Sequence, residues 1–386
     1  MRRTLVLLLL SASLLFGGCM QSLSIGDYAY ALYIGVEEGE NLPYKVTFLV
    51  AMPNGSGADS SSISQKTVTA EARTLFEAME TVNAGLPSRL NFSRVSSIVV
   101  QEKLMQDGRF LSFSDFALGK LDLWLNLRVL VTPDSVTEVL NGILSDSDPS
   151  LSKLKHNIGV LAERSGITVD VSFSEMMEQF ESKTGDALLA YCGTASYSVR
   201  EDLTGGNSYP YLGGNVLTES ILKTSILGAA VFDDTEMVGV LDGQHTMLVQ
   251  MVNDRFERGR VLLPNGDGTI LTVYLYRLKA PKITFSMEHV SVELYLEADI
   301  EQPEYVALEE RTATKAYLEE WLKTELLRVL ASLQEANSDA MCFGREAVRS
   351  FDSTEAWESF DWKAVYRTLP VSFSVSVRLS GNLPVS

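Results

Sequence analysis

Hydrophobic and polar residues follow two periods along this chain, one of about two residues and one of about 3.6, which predicts both strands and helices. The first predicted strands are residues 28–36 and 44–52, rich in aromatic and β-branched side chains and joined by a polar connection. A polar loop at residues 53–64 follows them. Helices are then predicted at 69–84 from a Thr69 cap, 113–118, 135–144, 151–163 and 173–183, and strands at 95–100, 125–132 and 187–199.

The second half of the chain has mostly strand patterns and one long helix. A hairpin is predicted from residues 222–232 and 236–241, and a short helix from 245–251. Residues 308–336 have an apolar face at helical spacing, so this helix should lie across the neighbouring sheet. The strands of that sheet are predicted at 259–263, 269–278, 282–286, 290–300 and, completing it, 371–379, several of them half-exposed and antiparallel.

This order of elements predicts an α+β fold of two to three domains, in which helices pack on mixed or antiparallel sheets. The chain has 386 residues, 46% of them hydrophobic, which is ample for separate cores. Residues 201–215 are rich in glycine and contain proline, which is typical of a linker. We therefore predict an N-terminal α+β region at 28–200, as one domain or two subdomains, and a C-terminal α+β domain at 216–386.

The beginning of the chain has the pattern of a secretory signal. Arg2 and Arg3 precede an apolar run at residues 5–16, which is too short to span a membrane. Two glycines and Cys19 close the run, as at a bacterial lipoprotein cleavage site. We predict a signal peptide at 1–18, an acylated Cys19 and a tether at 19–27. The alternative is an ordinary signal peptide with an incidental cysteine.

Charge and cysteine content narrow the classes of partner. Lys and Arg total 32 against 50 Asp and Glu, a formal net charge of −18. This balance argues against nucleic acid and against adhesion to anionic lipid headgroups, so a lipid anchor would be needed to hold the protein at a membrane. Cys192 and Cys342 are too few for a disulfide framework, and their apolar neighbours predict buried free thiols.

No catalytic constellation is recognisable in the sequence. None of the three histidines, His156, His245 and His289, is part of a recognisable catalytic motif. We interpret the acid pairs Glu37 with Glu38, Asp233 with Asp234 and Glu309 with Glu310 as solvated faces. The loops at 146–148 and 265–268 resemble calcium loops but lack the spaced glutamate of an EF-hand, and the second is better explained as a hairpin turn. The prediction is therefore no enzyme, no cofactor and no metal.

A group of aromatic residues near the end of the chain could stack on a ligand or fill a core. We favour the core, because a segment folded between the long helix and the last strand must bury something large to stay in place. The group consists of Phe351, Trp357, Phe360, Trp362 and Tyr366.

Several motifs resemble the C-subunit lipoproteins of nutrient germinant receptors in endospore-forming bacteria, the GerAC-like or Ger(x)C family. Residues 228–232 (GAAVF) and 237–241 (MVGVL) are similar to that family's hairpin, and 339–344 (DAMCFG) to its D-I-F-G-F-G turn, with Cys342 at a usual glycine. The lipoprotein signal, residues 69–72 (TAEA), residues 95–102 (VSSIVVQE) and the spacing of Trp357 and Trp362 also match.

The resemblance implies a non-enzymatic subunit on the outer leaflet of the spore's inner membrane. It would assemble with an integral-membrane A subunit and a transporter-like B subunit, and Cys19 is the one functional residue carried over. The competing hypothesis is a ligand-capturing, substrate-binding lipoprotein of a transport system, which is usually built from two parallel-sheet lobes around a hinge. An exported enzyme is a third hypothesis.

Overall fold

The computed structural model of the chain describes residues 28–53, 63–113, 126–145, 153–194, 203–204, 224–264, 270–301 and 308–380. The predicted signal peptide, the tether with Cys19, the loops at 146–148 and 265–268 and most of the predicted linker lie outside these ranges. The predicted α+β fold is confirmed: two sheets are present, with helices packed on them. No helix among the described residues is both long enough and apolar enough to span a bilayer.

The first sheet is mixed. Its strand order is β3-β2-β1-β5-β6-β7-β8-β9, with the short β4 also paired to β1. The central strands β1, β5, β6 and β7 are parallel, whereas the pairs toward both edges are antiparallel. The strands are β1 (Tyr28–Glu38), β2 (Tyr44–Pro53), β3 (Ile63–Ala72), β4 (Arg89–Asn91), β5 (Ser97–Gln101), β6 (Arg128–Thr132), β7 (Leu188–Thr194), β8 (Thr224–Asp233) and β9 (Glu236–Asp242).

Helices cover both faces of this sheet. They are α1 (Leu75–Gly85), α2 (Glu102–Gln106), α3 (Val136–Ser145), α4 (Lys153–Ser165) and α5 (Phe173–Glu181). On one face, the apolar stripe of α3 forms a separate buried cluster with strand residues such as Tyr33 and Leu130. The helix approaches β1 so closely that a Cβ at Gly35 would lie 2.3 Å from Val136 Cγ1.

The second sheet has the order β10-β11-β12-β13, and only its last pair, β12 with β13, is parallel. It consists of β10 (Arg258–Pro264), β11 (Ile270–Phe285), β12 (Val290–Glu301) and β13 (Val371–Leu379). The helix α6 (Gly243–Val252) leads into it from β9, and the long α7 (Leu308–Glu335) packs against β13. The short α8 (Gly344–Ala347), α9 (Thr354–Glu358) and α10 (Trp362–Tyr366) connect α7 to β13.

The long helix lies against the second sheet as predicted. Its buried residues include Leu318, Leu322, Leu326 and Leu333, which join the core of that sheet. A carboxylate oxygen of Glu319 also accepts a hydrogen bond from the Val377 amide at 2.7 Å. The helix therefore satisfies part of the exposed edge of β13 as well as covering its apolar face.

Two sequence predictions are wrong in detail. Thr69 does not cap a helix: residues 63–72 form β3, paired along its whole length with β2, and α1 begins after Thr74, whose hydroxyl accepts from the Glu77 amide. The strands predicted at 269–278 and 282–286 are one strand, β11, whose register shifts between Arg277 and Lys282.

The first sheet contains strands from both sides of the predicted linker. The strands β8 and β9 follow residues 201–215, yet β8 pairs with β7 in the first sheet. A boundary at residue 216 therefore does not coincide with the division between the two sheets, and the proposed domain limits stay a prediction.

Candidate functional site

A lysine and several carboxylates meet where the two sheets join. Lys363 Nζ lies 2.6 Å from Asp186 Oδ2, 2.6 Å from Asp233 Oδ1 and 3.0 Å from the carbonyl oxygen of Asn337. We call these four residues, together with Asp339, the Lys363 junction. Its members come from the loop before β7, the end of β8, the turns after α7 and the start of α10.

The acids of this junction are hydrogen-bonded, and Asp186 and Asp339 among them are buried. Asp186 Oδ1 accepts from the Asp234 amide at 2.9 Å, and Asp186 Oδ2 accepts from the Asp339 amide as well as from Lys363. Burial raises the pKa of Asp186 in spite of the lysine. Burial alone would lower the pKa of Lys363, but Asp186 and Asp233 outweigh it and the pKa is raised. The ammonium therefore stays charged.

The carboxylate of Asp339 organises the turn after α7. It accepts hydrogen bonds from the amides of Phe343 at 2.9 Å and Gly344 at 2.8 Å, and from Trp362 Nε1 at 3.0 Å. Complete burial raises its pKa to about 7, although these donors favour the charged form. Within this turn Cys342 has φ +56°, a left-handed conformation that glycine adopts without penalty.

The aromatic residues near the end of the chain form part of a hydrophobic core, as predicted. Trp357, Trp362 and Tyr366 are buried, and Phe351 and Phe360 pack against them. The ring centroids of Trp357 and Trp362 lie 5.9 Å apart, and those of Trp362 and Tyr366 6.0 Å apart. Trp362, whose indole nitrogen donates to Asp339, is itself part of this aromatic cluster, so the junction adjoins an apolar core.

Metal binding at the junction is unfavourable because the lysine supplies the positive charge. Oxygen atoms of Asp186, Asp233 and Asp234 lie close enough together to hold an ion. However, Lys363 Nζ is bonded to the first two and lies 3.6 Å from Asp234 Oδ1. A cation entering this space would have to displace the ammonium.

The described surface has two notable depressions. One, of about 370 Å³, opens beside the junction between Asp234, Lys183 and the rings of Trp357 and Phe360. A larger crevice of about 840 Å³ is lined by charged residues that pair with each other, including Arg128 with Asp170.

The histidines do not form a catalytic set among the described residues. His245 is buried between α6 and α7, with Nδ1 3.3 Å from Asp242 Oδ1 and Nε2 3.6 Å from Glu325 Oε2. The nearby imidazole lowers the pKa of Glu325. His289 lies in the β11–β12 turn, where its amide and carbonyl bond to Ser286. The side chain of His156 is outside the described part of the chain.

The interpretation of Glu37 as a solvated acid is wrong. Glu37 is buried and accepts hydrogen bonds from the Val136 amide at 2.9 Å and from the hydroxyls of Ser135 and Thr137 at 2.9 and 2.8 Å. Lys45 Nζ lies 2.8 Å from it. Burial raises the pKa of Glu37, but these partners outweigh burial and lower it. Glu37 thus anchors the N-terminus of α3 to β1.

The other acid pairs have mixed outcomes. Asp234 is solvated, with 71% of its side chain exposed, but its neighbour Asp233 is engaged by Lys363 and by Asn337. Glu38 is partly exposed and pairs with Lys103 and Arg109. The side chains of residues 309 and 310 are outside the described set.

Both described cysteines are buried and free, which confirms the prediction from their apolar neighbours. Burial raises the pKa of each thiol to about 12.

We expect neither Cys192 nor Cys342 to react with a thiol reagent at neutral pH in the folded protein, and both to react in denaturant. Titration with a chromogenic disulfide, with and without denaturant, measures this. Rapid modification of either thiol in the native state would contradict it.

Two sequence-family models match this chain. One, described as "Spore germination protein N-terminal domain", matches residues 21–194, and the other, "Spore germination B3/ GerAC like, C-terminal", matches residues 227–382. The chain belongs to the GerAC-like family of spore germination proteins. This is the germinant-receptor C-subunit family that its motifs resemble, and membership assigns the protein to spore germination.

The fold of this GerAC-like protein is similar to a solved structure described as "Crystal Structure of the GerBC protein". The match covers 90% of this chain and 97% of that chain, with a TM-score of 0.55 and 12% sequence identity. No curated protein matches the sequence. At this identity the similarity concerns the fold.

The Lys363 junction connects the two regions that the family models match. Asp186 lies in the N-terminal region, whereas Asp233, Asn337, Asp339 and Lys363 lie in the C-terminal one. Of the junction residues, only Asp233 is among the acids interpreted from the sequence as solvated, and Lys363 links it to Asp186 of the N-terminal region. The one sequence signal that pointed there was the motif at 339–344, which begins with Asp339.

Proposed function

We propose that this GerAC-like protein is the lipid-anchored, non-enzymatic subunit of a nutrient germinant receptor. Acylated Cys19 holds it at the outer face of the spore's inner membrane, where it contacts an integral-membrane A-type subunit and a transporter-like B-type subunit. The observation that carries the proposal is the match of family models to both regions, residues 21–194 and 227–382. The lipoprotein signal predicted from the sequence directly precedes these regions and supports the anchoring.

The chemistry of the described residues supports a scaffolding role. Charged groups in the interior are engaged with one another: Lys363 with Asp186 and Asp233, and Glu37 with Lys45 and the end of α3. Such contacts fix elements in place and leave few groups poised for proton transfer. The protein would therefore act by contact with its neighbours.

The sheet topology does not favour the alternative of a ligand-capturing lipoprotein. Two-lobed capture proteins are built from parallel sheets with crossover helices in both lobes. Here only the first sheet has a parallel centre, and β10, β11 and β12 are consecutive antiparallel strands. A screen of amino acids and sugars by thermal shift would reveal a capture function as a large ligand-dependent rise in Tm.

Replacing the anchor residue tests the proposal. In Cys19→Ala the acyl acceptor is lost, so the protein should leave the membrane fraction and nutrient-triggered germination should slow. Mass spectrometry of the N-terminal peptide, immunoblots of membrane fractions and the fall in optical density of spore suspensions measure these effects. Ser22→Ala, in the tether, is the matched control and should behave as wild type. Unchanged membrane retention and germination in Cys19→Ala would refute the anchored role.

A further inference from the structure

The strand ends nearest to the predicted anchor form one rim of the first sheet. β1 begins at Tyr28, which is in register with Arg89 of β4, and β2 ends at Pro53, in register with Ile63 of β3. These four residues, from neighbouring strands, define what we call the anchor-proximal rim. Because β1, β2 and β3 are hydrogen-bonded along their length, the rim is a fixed part of the fold.

The side chains of this rim are of the kinds found at membrane interfaces. Ile63 is 62% exposed, the largest value among the exposed large apolar residues of the described chain. Arg89 is exposed, and the rings of Tyr28 and Tyr30 are 6.1 Å apart. Isoleucine supplies apolar contact, tyrosine prefers the headgroup level, and arginine binds anionic headgroups.

Charge is segregated along this part of the sheet. The described residues 28–36, 46–53, 63–70 and 81–101 contain no Asp or Glu, although the whole chain has 50. They contain three basic residues, Lys66, Arg89 and Arg94, and all three are exposed.

The acids return at the opposite end of the same strands. Glu37 and Glu38 end β1, Glu71 lies near the end of β3, and Glu102 follows β5. Among the described residues, the rim end therefore has exposed bases without acids, whereas at the other end the acids Glu37 and Glu38 are paired with Lys45, Lys103 and Arg109. An anionic surface attracts unpaired bases more strongly than bases that are already paired with carboxylates.

The tether keeps the basic end close to the anchor. Nine peptide steps separate Cys19 from Tyr28. Fully extended, they reach roughly 30 Å, since each residue spans at most about 3.3–3.6 Å. The rim can therefore reach the lipid surface while Cys19 is anchored, and no other described strand end is tied as closely in sequence.

We propose that the anchor-proximal rim, flanked by Lys66 and Arg94, rests against an anionic lipid surface and so sets the orientation of the protein on the membrane. This inference depends on the proposed anchoring at Cys19. Acylation alone would fix the distance from the bilayer but would leave the body free to rotate. The contact at the rim removes that freedom and directs the acidic ends of the strands away from the lipid.

The test attaches the mature chain to vesicles without relying on natural acylation. Cys192 and Cys342 are buried, so a maleimide lipid should couple selectively to Cys19 in the chain beginning at that residue. Hydrogen exchange is compared between protein on vesicles of equal parts phosphatidylglycerol and phosphatidylcholine, on phosphatidylcholine alone, and free with its thiol blocked. On the anionic vesicles we expect exchange at residues 28–30, 63–66 and 86–94 to slow at least about fivefold, the effect of roughly one basic residue at the surface.

Charge-reversal variants complete the test. Arg89→Glu combined with Arg94→Glu should abolish the protection, as should salt at about 1 M, where the Debye length is about 3 Å. The matched control, Arg258→Glu with Arg367→Glu, makes the same change of charge at exposed positions elsewhere and should retain it. Circular dichroism confirms that the variants are folded.

Three results would overturn the proposal. These are protection at a surface other than the rim, equal protection on neutral and anionic vesicles, and no protection although the protein is coupled. The last would leave the rim free for a protein partner. Failure of the anchor itself is seen separately, as unchanged membrane retention of Cys19→Ala in cells.

Discussion

Lys363→Met should lower the free energy of unfolding by about 3 kcal/mol. Removing one partner of a buried ion pair costs roughly 3–5 kcal/mol, because the remaining charge is left without compensation. Here the remaining charges are Asp186, whose side chain is 2% exposed, and Asp233, which is 28% exposed. We take the lower end of the range since a quarter of the lysine side chain is itself exposed.

Equilibrium denaturation by urea measures this loss, and Lys183→Met is the matched control. Lys183 borders the same depression but is exposed and has no hydrogen bond to the acids of the junction, so its removal should change stability by less than about 0.5 kcal/mol. Equal losses in the two variants would show that the junction has no special role. A loss in Lys363→Met below about 1 kcal/mol would show the same.

The pH dependence of Lys363→Met follows from the same geometry. Burial already raises the pKa of Asp186, and removing the ammonium should raise it further. A carboxyl whose pKa is higher in the folded state takes up a proton on folding, so its contribution to stability is lost as pH rises. The deficit of the variant relative to wild type should therefore shrink as pH falls from 7 toward 5. A deficit independent of pH would place the cost in packing instead of charge.

Elements with an unbroken period could be predicted from the sequence. The last strand was predicted at 371–379 and is Val371–Leu379, and the long helix was predicted at 308–336 and is Leu308–Glu335. β3 was missed because residues 67–72 have both β-branched side chains and a threonine–glutamate spacing that suggests a helix start. Pairing with β2 makes these residues a strand. The helix begins five residues later, where the Thr74 hydroxyl accepts from the Glu77 amide and the Glu77 carboxylate accepts from the Arg73 amide.

The junction could not be predicted because its members are far apart in the chain. Lys363 is 177 residues from Asp186 and 130 from Asp233, and no local pattern marks such a pairing. From the sequence, Asp233 and Asp234 are interpreted as a solvated turn. This is correct for Asp234, whereas Asp233 is bonded to Lys363. Periodicity identifies which face of an element is buried, but it does not reveal which charges meet inside.

The second large effect is expected for Glu37→Gln, which should destabilise the protein by about 2–3 kcal/mol. Glutamine keeps the size of the side chain but replaces one acceptor oxygen with an NH₂ group. In either orientation of the amide, that group faces donors, either the Val136 amide or Lys45, so one of them loses its acceptor. Lys45 also loses its counter-charge. A buried donor left unsatisfied costs about 1–3 kcal/mol, and the loss of charge at a helix N-terminus adds to it.

Glu38→Gln is the control, because Glu38 is the adjacent residue and its pairs with Lys103 and Arg109 lie at the surface. Exposed pairs contribute about 0–1 kcal/mol, so this variant should stay close to wild type in urea denaturation. If both variants lose the same stability, burial of Glu37 is not the cause.

Acid titration distinguishes the charge of Glu37 from its shape. The folded-state pKa of Glu37 is lowered, so its contribution is present above the unfolded value of about 4.3 and is lost as pH falls through the folded pKa. Glutamine does not titrate, and the difference between wild type and Glu37→Gln should therefore be constant near neutral pH and decrease below about pH 4. A difference that persists unchanged in acid would mean that α3 is held by packing against Gly35 and Tyr33, with the carboxylate contributing little.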